Sequence, residues 1–152
     1  MLASGLYMMV VSTRADVNGW EWTFIRAGMS IYSGWLTTAT ILNFTVTLKF
    51  FGFSELSWLS EEYITIGILY TAALIYNLAS YIELNPLFGS VFVYVIFNIR
   101  SRVLDEYPQY TALEKNLDYI GIFQAVSMTA LTSYLSAEAI NKVGSDKRGL
   151  FL

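Results

Sequence analysis

Charged residues along this chain are spaced so as to leave four long intervals that contain none. Residues 27–48, twenty-two in all, lie between Arg26 and Lys49, and residues 63–82 give twenty between Glu62 and Glu83. Residues 84–99 give sixteen between Glu83 and Arg100, and residues 119–137 give nineteen between Asp118 and Glu138. A hydrocarbon core about 30 Å thick asks for roughly 17 to 25 apolar residues per helix, so each interval predicts a span. The expected fold class is all-α: a multi-pass transmembrane helix bundle with four full spans plus an N-terminal partial helix, forming a single domain over residues 1–152.

The boundaries of these intervals carry helix signals of their own. Ser60-Glu61-Glu62 places a capping hydroxyl and two carboxylates where the positive end of the second span would be. Asn85-Pro86 reads as N-cap followed by N1 for the third, so the second and third spans form a tight antiparallel hairpin through Glu83, Leu84 and Asn85. Thr111 and Glu114 have the spacing of a capping box, which starts the fourth helix ahead of its apolar interval. Gly144 is a plausible stop beyond it.

Residues 1–11, MLASGLYMMVV, are apolar but too short to span, and they lack the positive n-region of a signal peptide. They read as the second half of a further membrane helix. That reading makes the chain the C-terminal part of something longer, and calls for other subunits or missing N-terminal helices packing near Met1 and Val11. The linker from Phe50, with Phe51, Phe53, Leu56, Trp58 and Leu59, has the aromatic, weakly charged character of the headgroup level. The segment from Arg102 to Asp118 is the largest polar loop. With residues 11–26 and the C-terminal tail on one side, that side holds five Lys and Arg against four opposite, so the positive-inside rule assigns no orientation.

Composition narrows the chemistry. Only 14% of residues are charged while 55% are hydrophobic, against about 25% charged for a soluble domain; the chain is expected to be integral to a membrane, with the lipid bilayer as its first partner. There is no cysteine and no histidine. No thiolate, haem-type or Cys/His metal site is expected, nor any cofactor. The net charge of −3 comes without a basic stripe, which argues against nucleic acid. None of the four intervals carries an intramembrane charge of the kind that marks proton relays and ion paths. A non-enzymatic role is expected.

What the intervals do contain is small residues on regular ridges. Ser30, Gly34 and Thr38 recur every four residues, as do Gly121, Ala125, Thr129, Ser133 and Ala137. Residues spaced by four stack on one helix face, and small ones let backbones approach closely; they are read as helix-packing positions in preference to a groove for a flat ligand. The polar residues at depth, Asn43, Asn77, Asn98 and Gln124 with Thr37, Thr38 and Thr40, are expected to hydrogen-bond across helix pairs. Tyr63, Tyr70 and Asn77 share a face that reads as an inter-helix seam.

The stretch MSIYSGWLTTATILN, residues 29–43, resembles the most recognisable segment of the tryptophan-rich sensory proteins, the TspO/MBR-like group. Ser30, Ile31 and Tyr32 match its opening, Gly34-Trp35 its Gly-Trp pair, and Thr37, Ala39, Thr40 and Asn43 its Thr/Ala-rich run ending in Asn. Trp20 and Trp22 fit the tryptophans that precede it. The proline that commonly stands before the run is replaced by Gly28-Met29, and only the family's C-terminal helices are matched. The resemblance implies a helix bundle with a hydrophobic ligand such as a tetrapyrrole or sterol, and Tyr32, Trp35 and Asn43 facing an inter-helix pocket.

Two functions follow. The first is a non-catalytic accessory or structural subunit of a larger membrane complex, favoured by the partial helix, the small-residue ridges and the uncharged interior. The alternative is a tryptophan-rich, TspO-like protein that binds or transports a hydrophobic small ligand.

Overall fold

The computed structural model describes residues 2–14, 22–52 and 61–149. It is all-α among those residues, with helices α1 (Leu2–Arg14), α2 (Gly28–Phe50), α3 (Glu61–Ile82), α4 (Pro86–Glu106) and α5 (Thr111–Gly149). A π-helical turn, Trp22–Ala27, leads directly into α2. The expected cap at Ser60 and the linker aromatics from Phe53 to Leu59 lie outside the described residues, as does Trp20.

Among the described residues, three helices are long and apolar enough to cross a membrane: Glu61–Ile82, Pro86–Glu106 and, within α5, Thr111–Asn141. The first of the four expected spans, residues 27–48, is not among them. It forms the 23-residue α2, but Ser30, Ser33, Thr37, Thr38, Thr40, Thr45, Thr47 and Asn43 dilute its apolarity. Most of those hydroxyls bond back to their own helix: Ser33 to the carbonyl of Ser30, Thr37 to Ser33, Thr40 to Leu36, Thr45 to Ile41 and Thr47 to Asn43, at 2.8 to 3.0 Å. Such bonds hide the hydroxyl hydrogen inside the helix where no water could take it.

The hairpin between α3 and α4 forms as the sequence indicates. Asn85 caps α4 by accepting from the Phe88 N–H at 3.4 Å, with Pro86 following as the first helical residue. The end of α3 is closed by Asn85 N–H donating to the Ser80 carbonyl at 2.8 Å. Leu84 takes the left-handed conformation, φ 50°, that this closure needs and that glycine usually supplies.

Two boundaries and one cap differ from those expected. Helix α4 runs past Arg100 to Glu106, because that guanidinium is paired with Asp118 of α5 and does not terminate anything. Helix α5 begins at Thr111, yet the Leu113 N–H is satisfied by the Glu62 carboxylate of α3 at 2.7 Å; the cap comes from a neighbouring helix and not from Thr111. At the other end α5 continues through Gly144 to Gly149, since a helical glycine costs only about 1 kcal/mol and no proline follows.

Helices α3, α4 and α5 pack pairwise on one another, α2 lies against α4 with a lighter contact to α3, and α1 packs chiefly on α2. Helix α1 covers the hydroxyl face of α2: a Cβ at Gly5 would stand 3.3 Å from both the Ser33 carbonyl and Thr37 Oγ1, and Ser33 and Thr37 are fully buried. The partial helix expected over residues 1–11 thus finds its packing partner within this chain. Gly34 marks a close approach between α2 and α4, where a Cβ would fall 2.8 Å from Val91 Cγ2 and 2.9 Å from Val91 Cβ.

Val91 cannot swing aside, being branched next to its own backbone. Gly34→Ala is therefore expected to lower stability by about 1 to 3 kcal/mol. Gly67→Ala, where nothing lies within 4 Å, should be neutral or stabilising by up to about 1 kcal/mol. Unfolding titrations in mixed micelles give both values; equal stabilities for the two variants would refute the close approach at Gly34.

Candidate ligand groove

The inner side of the bundle is filled by one aromatic stack. Tyr76 of α3, fully buried, lies between Phe88 and Phe92 of α4 with both ring centroids 4.8 Å away. Its hydroxyl pairs with Thr38 Oγ1 at 2.7 Å and donates to the Gly34 carbonyl. Beside it Asn85 Nδ2 donates to Ser30 Oγ at 2.7 Å, and Ser30 Oγ in turn donates to the Arg26 carbonyl at 2.7 Å. These contacts fasten α2 to the α3–α4 hairpin.

A second polar seam joins α3 to α5. Asn77 Nδ2 donates to Gln124 Oε1, Ser127 Oγ donates to Asn77 Oδ1 at 2.6 Å, and the Tyr70 hydroxyl donates to Asn116 Oδ1 at 2.8 Å. Tyr81 closes it by donating to the Ser127 carbonyl at 3.1 Å. Tyr63, on the same face, is exposed. Among the polar residues expected to bond across helix pairs, Thr38, Asn77 and Gln124 do so. Thr37 and Thr40 bond within α2, and Asn98 donates to the Tyr94 carbonyl of its own helix. One turn of separation makes that local carbonyl the nearer partner.

With the inside filled, the open space lies on the outside. A groove of about 1550 Å³ runs between α4 and α5, lined along its length by Leu87, Ser90, Val93, Tyr94 and Phe97 on one wall. The other wall is Ala125, Met128, Thr129, Thr132, Ser133 and Ser136. Its end is closed by Arg26 and Ser30, where the π-turn passes into α2, with Leu84, Asn85 and Pro86 of the hairpin. Glu138 and Ile140 of α5 line it as well.

The residues singled out in the sequence fall as follows. Ser30, Gly34 and Thr38 are all buried in the α2 contact. On α5 the ridge divides. Gly121 is buried, a Cβ there meeting Ile96 Cγ2 at 3.1 Å, whereas Ala125, Thr129 and Ser133 line the groove and Thr129 and Ser133 are exposed. Tyr32 and Trp35 face outward at 55% and 45% exposure, and Asn43 is exposed too; none of the three lines the groove. Trp35 does touch its rim, edge-on to Tyr94 with centroids 5.8 Å apart. Arg26, Tyr94 and Met128 were missed, because nothing in a span boundary, an apolar stretch or a lone methionine distinguishes a groove wall from packing.

The family model described as TSPO-like protein matches residues 1–135. The chain belongs to the TSPO-like protein family. The match begins at residue 1, so α1 lies within the family's own region, and it ends inside α5. No curated protein and no solved structure matches the chain. Membership of this family, together with three helices long enough to cross the bilayer, makes this TSPO-like chain an integral membrane protein.

Tyr76 carries both the stack and the polar fastening, and two substitutions separate them. Tyr76→Phe, which leaves the Gly34 carbonyl and Thr38 without their partner, should cost about 1 kcal/mol. Tyr76→Ala, which also empties the space between Phe88 and Phe92, should cost about 3 to 5 kcal/mol. Both are read from denaturation midpoints in micelles, and a Tyr76→Ala value no larger than that of Tyr76→Phe would contradict the stack.

Proposed function

We propose that this TSPO-like protein binds a hydrophobic small ligand in the groove between α4 and α5. The observation that carries the reading is the groove itself: about 1550 Å³ of open space, more than the roughly 300 to 1,000 Å³ that a small ligand fills, with apolar and aromatic side chains and a few hydroxyls along its walls. A tetrapyrrole or sterol, which the family resemblance implies, has the size and apolarity for such a surface. The proposed role is binding without turnover, in a chain that has neither cysteine nor histidine.

The sequence alone ranked an accessory subunit first and the TSPO-like reading second. Family membership reverses that order, and α1 packs on α2 of the same chain. The proposal includes α2 as a fourth span, supported by its 23 residues and its internally bonded hydroxyls. Among Tyr32, Trp35 and Asn43, the contact of Trp35 with Tyr94 supports a part for Trp35 in ligand binding, as the residue that steadies the groove's aromatic rim.

The test is titration of the purified chain with protoporphyrin, followed by fluorescence quenching. Ser133→Trp, which puts an indole into the groove from an exposed position, should weaken binding about tenfold or more, since displaced ligand surface cannot be recovered elsewhere. Trp35→Ala should weaken it by a smaller factor. Ile122→Trp, an equally large change on an exposed part of α5 outside the groove, should leave it alone. Indistinguishable affinities for Ser133→Trp and the unaltered chain would sink the proposal.

A further inference from the structure

Three features of the groove bear on what fills it inside a membrane. First, it opens to the outer side of the bundle, where two of the helices that form it are apolar enough to span the bilayer. Second, its α4 wall from Leu87 to Phe97 is ten helical steps, about 15 Å at 1.5 Å per residue. The α5 wall runs further, from Ala125 to Ile140, about 22 Å, so the stretch the two walls share matches the depth of one leaflet's acyl chains in a hydrocarbon core about 30 Å thick. Third, its end at the α3–α4 turn carries a cation. Arg26 lines that end and makes no ion pair among the described residues. Glu138, which also lines the groove, already has a partner of its own.

The placement of Arg26 has a backbone cause. It is the penultimate residue of the π-turn Trp22–Ala27, and a π-turn offsets the side chains ahead of it from the α-helical register; such turns recur at functional sites. Its carbonyl is held by Ser30 Oγ, and Ser30 by Asn85 Nδ2. The base of the arginine is thereby tied to that end of the groove by two buried polar residues, at 0% and 5% exposure. A planar guanidinium so placed suits a phosphate oxygen pair.

We propose that in the bilayer this groove holds one phospholipid, an acyl chain lying along Leu87, Val93, Phe97 and Met128 and the phosphate at Arg26. The inference rests on the reading of the groove as a ligand site, and adds the class of its resident occupant, which a tetrapyrrole or sterol would have to displace. The stretch shared by both walls sets the chain, and Arg26, without an ion pair among the described residues, sets the headgroup. Charge and depth complement a lipid of the same leaflet, where a second protein helix would leave Arg26 without a counter-charge.

The experiment uses the full chain in detergent, loaded with phosphatidylglycerol or with diacylglycerol of the same acyl composition, and measures lipid retained per chain by native mass spectrometry. Phosphatidylglycerol should be held about tenfold or more over diacylglycerol, the worth of one charge-assisted contact, and excess inorganic phosphate should not displace it. Arg26→Gln should bring phosphatidylglycerol down to the diacylglycerol level with helicity unchanged, and Arg26→Lys should restore part of the difference. Ser133→Trp should remove both lipids. Equal retention of the two lipids by the unaltered chain, or full retention by Arg26→Gln, overturns the proposal. If Ser133→Trp abolishes protoporphyrin binding while phosphatidylglycerol shows no preference, the groove stands as a ligand site and the lipid is wrong. If Ser133→Trp affects neither probe, both readings fall.

Discussion

The arrangement of this protein depends on where the hydroxyl of Tyr76 finds its partners. In the hydrocarbon region no water is present to satisfy a phenol, and an unpaired one costs several kcal/mol. Its partners are Thr38 and the Gly34 carbonyl, both on α2, so α2 must lie against the α3–α4 hairpin at the height of Tyr76. The absence of a side chain at Gly34 lets α4 come near enough, with Val91 filling the space a Cβ would take. Ser30 and Asn85 repeat the same solution nearer the turn. Polar satisfaction and close approach are therefore one constraint, met by the same ridge of small residues.

That constraint moves the ligand site outward. Once Tyr76 is stacked between Phe88 and Phe92, the space between α2, α3 and α4 is occupied by the protein's own aromatic rings. The α3–α5 pair is drawn together in turn by Asn77, Gln124 and Ser127. The side of α4 that faces neither contact, and the exposed flank of α5 beyond Gly121, are left to form the groove. Small hydroxyl residues there, Thr129, Thr132 and Ser133, keep the groove wide because they fill little of it. The same residue type thus closes one helix pair and leaves room beside another.

How much of this was legible depends on the range of the interaction. The Asn85-Pro86 cap needs only about one turn of backbone, from Asn85 to Phe88, and it appears as expected. Three of the four expected spans follow from charge spacing, and the family from the run around Gly34-Trp35. The cap of α5 was misjudged because its acceptor, Glu62, is 51 residues away. Asn98 was misassigned because spacing along a helix says nothing about whether a neighbour or a carbonyl of the same helix is nearer. Tyr32, Trp35 and Asn43 were placed toward a pocket by resemblance, whereas their exposure is decided by which face of α2 the Ser30, Gly34 and Thr38 ridge claims for packing.

The sequence by itself determined an all-helical chain with long charge-free intervals for a bilayer, the hairpin at Asn85, and membership of the TSPO-like family, because these rest on composition, local capping and a contiguous motif. The tertiary structure alone decided which small residues pack and which line open space. It also decided that the interior is filled by Tyr76 and that Arg26 reaches a groove formed by helices sixty and more residues further on. Those outcomes turn on which helix faces meet, and facing is a property of the assembled bundle that no single helix encodes.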